Sequence, residues 1–137
     1  MSDANHDLRV PILTVPIEEA TVTQGVLRIA GPVGVRFPPQ LPFDSTVQVA
    51  MAIENPHPAA GSTNIRIAIT GPDGAVLPDS VRDHTVRWRD ATRGPVFNYV
   101  IDNVPARFVA QGAYTIHVYI DDDAVPRAAT SVGVFLQ

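Results

Sequence analysis

The side chains able to do chemistry are few in this chain and stand far apart. There are four histidines, His6, His57, His84 and His117, and no cysteine. None of the histidines falls at the short spacing of common metal motifs. His6 lies in a polar N-terminal stretch and His57 in the run Asn55-Pro56-His57-Pro58; His84 opens a strand and His117 sits in mid-strand. They read as isolated surface or rim residues, so no metal or other cofactor is expected. The sharpest charge cluster is Asp121-Asp122-Asp123. Loop carboxylates gathered at one end of a domain can supply the several oxygen ligands that Ca²⁺ requires, which makes small-ligand or Ca²⁺ binding the alternative reading. Against it, there is no D-x-D-x-D-G loop, and Asp favours turns because its side chain caps its own backbone. Three adjacent acids also discourage edge-to-edge pairing.

Nucleophilic chemistry finds no frame. None of the five serines, Ser2, Ser45, Ser62, Ser80 and Ser131, stands in a G-x-S-x-G elbow. Glu18, Glu19 and Glu54 lack the apolar setting that raises a catalytic pKa. Gly71-Pro72-Asp73-Gly74 is a turn without the length or the Lys of a phosphate loop. The chain is therefore expected not to be an enzyme. The single Trp88, between Arg87 and Arg89, could stack a sugar or a base, but it alternates with Val86 and reads as core.

The elements that must position these residues are strands. Thirteen Pro and nine Gly, spread along 137 residues, cut the chain into short runs rich in Val, Ile and Thr that alternate apolar with polar. Strands are expected at Arg9–Val15, Val22–Ala30 (interrupted by a turn or bulge at Gln24-Gly25), Val33–Phe37, Thr46–Glu54, Asn64–Thr70, His84–Arg89, Pro95–Asp102, Gly112–Ile120 and Ala129–Leu136. Eight or nine short strands with regular turn signals give a single-domain antiparallel β-sandwich, Greek-key, immunoglobulin-like or jelly-roll-like. It would span residues 9–137 behind a flexible tail, 1–8. The ten basic residues are all Arg, scattered from Arg9 to Arg127 and outnumbered by acids for a net charge of −4, which disfavours nucleic acid. No apolar run approaches the roughly 18 residues of a membrane span. The polar, acidic start lacks the features of a signal peptide, so a cytoplasmic address is expected.

Alternation also suggests registers. Pairing Ile53 with Ile65 turns Val49, Met51, Ile53 and Ile65, Ile67, Ile69 to the core, and leaves Ala50, Ala52, Arg66 and Ala68 on the outer face. Joining Tyr114, Ile116, Val118 and Ile120 to Leu136, Val134, Val132 and Thr130 places His117 opposite Gly133, with Thr115, Tyr119 and Phe135 outward nearby. These eight outward residues form the candidate interface, since exposed apolar patches mark interaction sites.

Several landmarks occur in order: the strand Gly25-Val26-Leu27-Arg28-Ile29-Ala30-Gly31, then Phe37-Pro38, Gly71-Pro72-Asp73-Gly74, Val104-Pro105, and Gly112-Ala113-Tyr114-Thr115-Ile116-His117-Val118. Together they resemble a family of small uncharacterised bacterial β-sandwich proteins over most of the chain from Val10 onward. The resemblance implies the fold and transfers no activity or site residues. The expected role is a non-catalytic protein-interaction or assembly module that docks a protein partner or a second copy of itself as a homo-oligomer.

Overall fold

The computed structural model describes residues 11–23, 26–32, 34–55, 61–88, 96–121 and 123–137. The 1–8 tail, the Gln24-Gly25 turn, His57 and Asp122 lie outside these residues. Every regular element among them is a strand: β1 (Pro11–Thr23), β2 (Val26–Pro32), β3 (Val35–Arg36), β4 (Phe43–Asn55), β5 (Gly61–Thr70), β6 (Arg82–Trp88), β7 (Val96–Phe108), β8 (Gly112–Ile120) and β9 (Ala128–Val134). They form a four-stranded sheet, β2-β1-β4-β7, and a five-stranded sheet, β3-β9-β8-β5-β6. All pairings are antiparallel except that of β3 with β9.

Period-2 alternation puts one face of each sheet into a shared core. Val47, Val49, Met51 and Ile53 of β4 and Val104 and Phe108 of β7 enter from one sheet; Ile65, Ile67, Ile69, Tyr114, Ile116 and Val118 enter from the other. The Phe108 and Tyr114 rings meet across the layers edge to face, with centroids 4.9 Å apart. Trp88 is also buried, its indole N–H donating to Thr63 Oγ1 at 2.7 Å.

Several strands run longer than the sequence suggested, and two of them, β1 and β7, run on through a proline. Pro16 and Pro105 lack an N–H for a ladder. Yet β1 pairs with β4 from Pro11 to Ile17 and with β2 only from Ile17 onward, so Pro16 has a strand on one side alone. β7 is an edge strand, which tolerates Pro105 opposite Thr46.

Both expected registers are corrected. Ile53 does not pair with Ile65: β4 lies between β1 and β7, while β5 lies between β6 and β8. Alternation fixes which face is apolar but not which strand lies alongside, and two core-facing strands satisfy it equally well across the core. β8 and β9 do pair, but slid by four residues, so that Tyr114 faces Val132 and His117 faces Ala129 rather than Gly133. An even slide keeps every side chain on its face. Its cause is a turn immediately after Ile120. Asp121 adopts φ 53° and accepts the Asn64 N–H, Asp123 N–H donates to Ile120 C=O, and Arg127 N–H already donates to Val118 C=O.

Candidate functional site

The outer face of the five-stranded sheet is built by the residues between the core positions. Arg66, Ala68 and Thr70 come from β5, Thr115, His117 and Tyr119 from β8, and Ala129, Ser131 and Gly133 from β9. Thr70 Oγ1 lies 3.0 Å from His117 Nε2, and the His117 and Tyr119 ring centroids are 6.3 Å apart. Arg66 donates to Asp83 at 2.9 Å; that bond, partly opposed by burial, holds the Asp83 carboxyl below the usual range. Val76 and Val81, from the loop joining β5 to β6, line a groove of about 660 Å³ together with Arg66, Ala68 and Tyr119, and Val76 forms an antiparallel bridge with Thr70.

Thr115, His117, Tyr119, Arg66 and Ala68 thus share one face, which joins two sets that the sequence reading had put on separate hairpins. Ala68 is buried, however, under its larger neighbours. Ala50 and Ala52 do not belong to the face at all. They lie on the other sheet, opposite Ile101 and Tyr99, and are 0% and 8% exposed. A methyl between larger side chains is shaded whichever way it points.

Phe135 is exposed, and the residues around it are ones alternation did not single out. Gly133 N–H donates to Gly34 C=O, Phe135 N–H to Arg36 C=O and Gln137 N–H to Pro38 C=O. The C-terminal segment therefore runs parallel to residues 34–38. It sets Val35, 46% exposed, beside Gly133, with Phe37, 62%, and Phe135, 46%, close by. The Phe135 ring lies over Gly133, where a Cβ would come within 3.0 Å of its edge. The result is an exposed apolar corner with a flat floor.

The alternative Ca²⁺ ligands carry internal bonds. Asp121 Oδ1 accepts the Asn64 N–H at 3.0 Å, and Asp123 accepts from Arg127 Nε at 2.7 Å. Among the described residues no group of three or more His, Asp or Glu side chains is arranged to hold a metal, and no helix is long and apolar enough to cross a membrane.

One charged cluster joins the two sheets. Asp102 of β7 accepts from His84 Nε2 at 2.8 Å and Arg82 Nε at 3.1 Å, both on β6. Burial pushes the Asp102 pKa up, but the bonds and charges of His84 and Arg82 outweigh it and leave the carboxyl below its ordinary value. A carboxyl with a depressed folded-state pKa adds stability above its unfolded pKa and loses it as pH falls through the folded value. Asp102→Asn is therefore expected to cost about 1–2 kcal/mol at neutral pH. That deficit should begin to shrink below about pH 4. Urea unfolding of both proteins from neutral to acid pH checks this; a deficit independent of pH would assign the loss to shape rather than charge.

No protein-family profile matches the chain, and no characterised protein sequence is significantly similar to it. Among solved structures the chain is similar to a beta-D-glucoside glucohydrolase from Trichoderma reesei, with a TM-score of 0.50 and 14% identity over 90% of this chain and 18% of that one. A second similarity, to an alkylpurine DNA glycosylase from Pseudomonas fluorescens bound to DNA containing an abasic-site analogue, has a TM-score of 0.43 and 11% identity over 74% of this chain and 27% of that one. The chain thus spans well under a third of either protein, and the first likeness is one of fold alone.

Proposed function

We propose that this chain is a non-catalytic protein-interaction or assembly module on an immunoglobulin-like β-sandwich, with the outer face of the five-stranded sheet as its contact surface. The topology supports the fold reading. β4 to β5, β6 to β7 and β7 to β8 each change sheets, and β3 runs parallel to β9. The Tyr114 hydroxyl reaches back to accept the Val109 and Ala110 N–H groups and donate to Ala110 C=O at 2.7 Å. Such a tyrosine corner is a hallmark of Greek-key sandwiches.

The observation that carries the function is the exposed corner of Val35, Phe37 and Phe135 beside Gly133. Aromatic side chains left in water on a flat sheet are what interface cores use. It adjoins the Thr115, His117 and Tyr119 row, so the contact surface extends across β9 and β8. The test is light scattering on the wild type and on a Phe37→Glu, Phe135→Glu variant. The wild type is expected above monomer mass at high concentration and the variant at monomer mass, with its melting temperature little changed because both rings are exposed. A wild type that stays monomeric removes self-association and leaves a different protein as the partner. A variant that unfolds would place the rings in the core.

A further inference from the structure

Among the described residues the sheets end in edge strands, β6 for the five-stranded sheet and β7 for the four-stranded one. β7 is the greater hazard. All its residues from Val96 to Phe108 pair with β4 on one side, and among the described residues no strand pairs with the other. A straight edge of that length is a template for a further strand. The partner always at hand is a second copy of this chain, whose β7 could pair antiparallel about a twofold axis.

That pairing would meet an obstacle at its centre. Full overlap of Val96–Phe108 with its own copy puts the axis at the midpoint of the strand, which is Asp102. The ladder to β4 runs unbroken through Pro105 and Thr46, so the Pro105 nitrogen points to the open side. Backbone groups alternate sides along a strand, so those of Ile101 and Asn103 also face the open side and those of Asp102 face β4. Across a twofold axis Asp102 would then meet its copy as a non-hydrogen-bonded pair, the closer kind, with Cα atoms about 4.5 Å apart. Like charges directly opposite one another oppose pairing. Pairing would also take water from Arg82, whose side chain is 45% exposed where it clasps Asp102.

We propose that Asp102, held by Arg82 and His84, is a built-in guard that keeps the β7 edge from pairing with β7 of a second copy. The carboxylate points inward and is 10% exposed; inward-pointing charges on edge strands are one of the devices that prevent sheet extension. This guard is independent of the outer-face contact, and the test is made where that contact is removed, in the Phe37→Glu, Phe135→Glu background.

Replacing the whole clasp, with Arg82→Thr, His84→Val and Asp102→Val, is expected to double the mass in light scattering. Adding Asn103→Pro should return the protein to monomer, because that substitution deletes an N–H on the open edge and takes no backbone bond from β4, the loss on that side being the exposed side-chain bond from Gln48 Nε2 to Asn103 Oδ1. A mass that stays monomeric, or a dimer that Asn103→Pro leaves intact, overturns the proposal. A second measurement leaves the clasp of the folded protein intact. A synthetic peptide of residues 96–108 carrying Asp102→Lys should bind the Phe37→Glu, Phe135→Glu protein at least about tenfold more tightly than the peptide of native sequence, about 1.4 kcal/mol. Equal binding of the two peptides would overturn the guard even if the clasp variant failed to fold.

Discussion

Gly112→Ala is expected to destabilise the protein by about 3–4 kcal/mol, among the largest losses available from one added methyl group. Two independent costs meet at this residue. Its φ is +138°, a conformation that side-chain-bearing residues rarely adopt, and holding one there costs about 1–3 kcal/mol. A Cβ at Gly112 would also stand 2.9 Å from both Cβ and Cγ of Pro72. That ring cannot swing aside as a flexible side chain would, and overpacking of this kind costs about 1–3 kcal/mol more. The position matters to the fold because Gly112 opens β8 two residues before Tyr114, whose hydroxyl ties the chain back to Val109 and Ala110. Pro72 belongs to the turn in which Gly71 N–H donates to Ala75 C=O and Gly74, at φ +85°, donates to Gly71 C=O. The sequence landmarks Gly71-Pro72-Asp73-Gly74 and Gly112-Ala113-Tyr114 are thus one packed corner. Urea unfolding checks the value. A loss under about 1 kcal/mol would mean that the corner yields, and that the glycine is not required by the Pro72 contact.

What could be read from the sequence, and what could not, divides along a physical line. The inward faces were legible because burial imposes period 2: Ile65, Ile67 and Ile69, and Tyr114, Ile116, Val118 and Ile120, all reach the interior. Strand partners were not, because the same alternation is satisfied by neighbours in one sheet and by strands facing each other across the core. Burial of small residues was not legible either. Ala50 and Ala52 point away from the core yet lose their water to larger neighbours such as Ile101 and Tyr99. The exposed corner was half legible: Phe135 sits at the end of a strong strand, whereas Val35 and Phe37 come from residues 34–38, whose parallel partner lies nearly a hundred positions away. The Arg82, His84 and Asp102 clasp needed the same long-range information, since its members stand on edge strands of different sheets.

Trp88 decides between two readings of the one side chain best suited to stacking a ligand. As core it should be costly to truncate, and Trp88→Ala is expected to lose about 3–5 kcal/mol. A surface platform would lose within about 0.5 kcal/mol. The indole is 4% exposed, and its N–H donates to Thr63 Oγ1 at 2.7 Å, with Thr63 itself fully buried. Trp88 stands opposite Gly61 in the β5–β6 ladder, and Thr63 stands opposite Val86. The bond therefore runs diagonally between adjacent strands on the core side, where neither group can turn to water. Removing one partner should strand the other. Thr63→Val, nearly the same shape, is expected to cost about 1–3 kcal/mol because the buried indole N–H loses its acceptor. Trp88→Phe combined with Thr63→Val should cost less than the two single losses added, because the double change leaves neither group seeking a partner. Chemical unfolding of the three variants, followed by circular dichroism so that the lost indole fluorescence does not matter, gives the coupling directly. Strict additivity would mean that the bond holds nothing. A positive coupling would show that the sequence uses its single Trp to pin β6, the edge strand that carries Arg82 and His84, against β5.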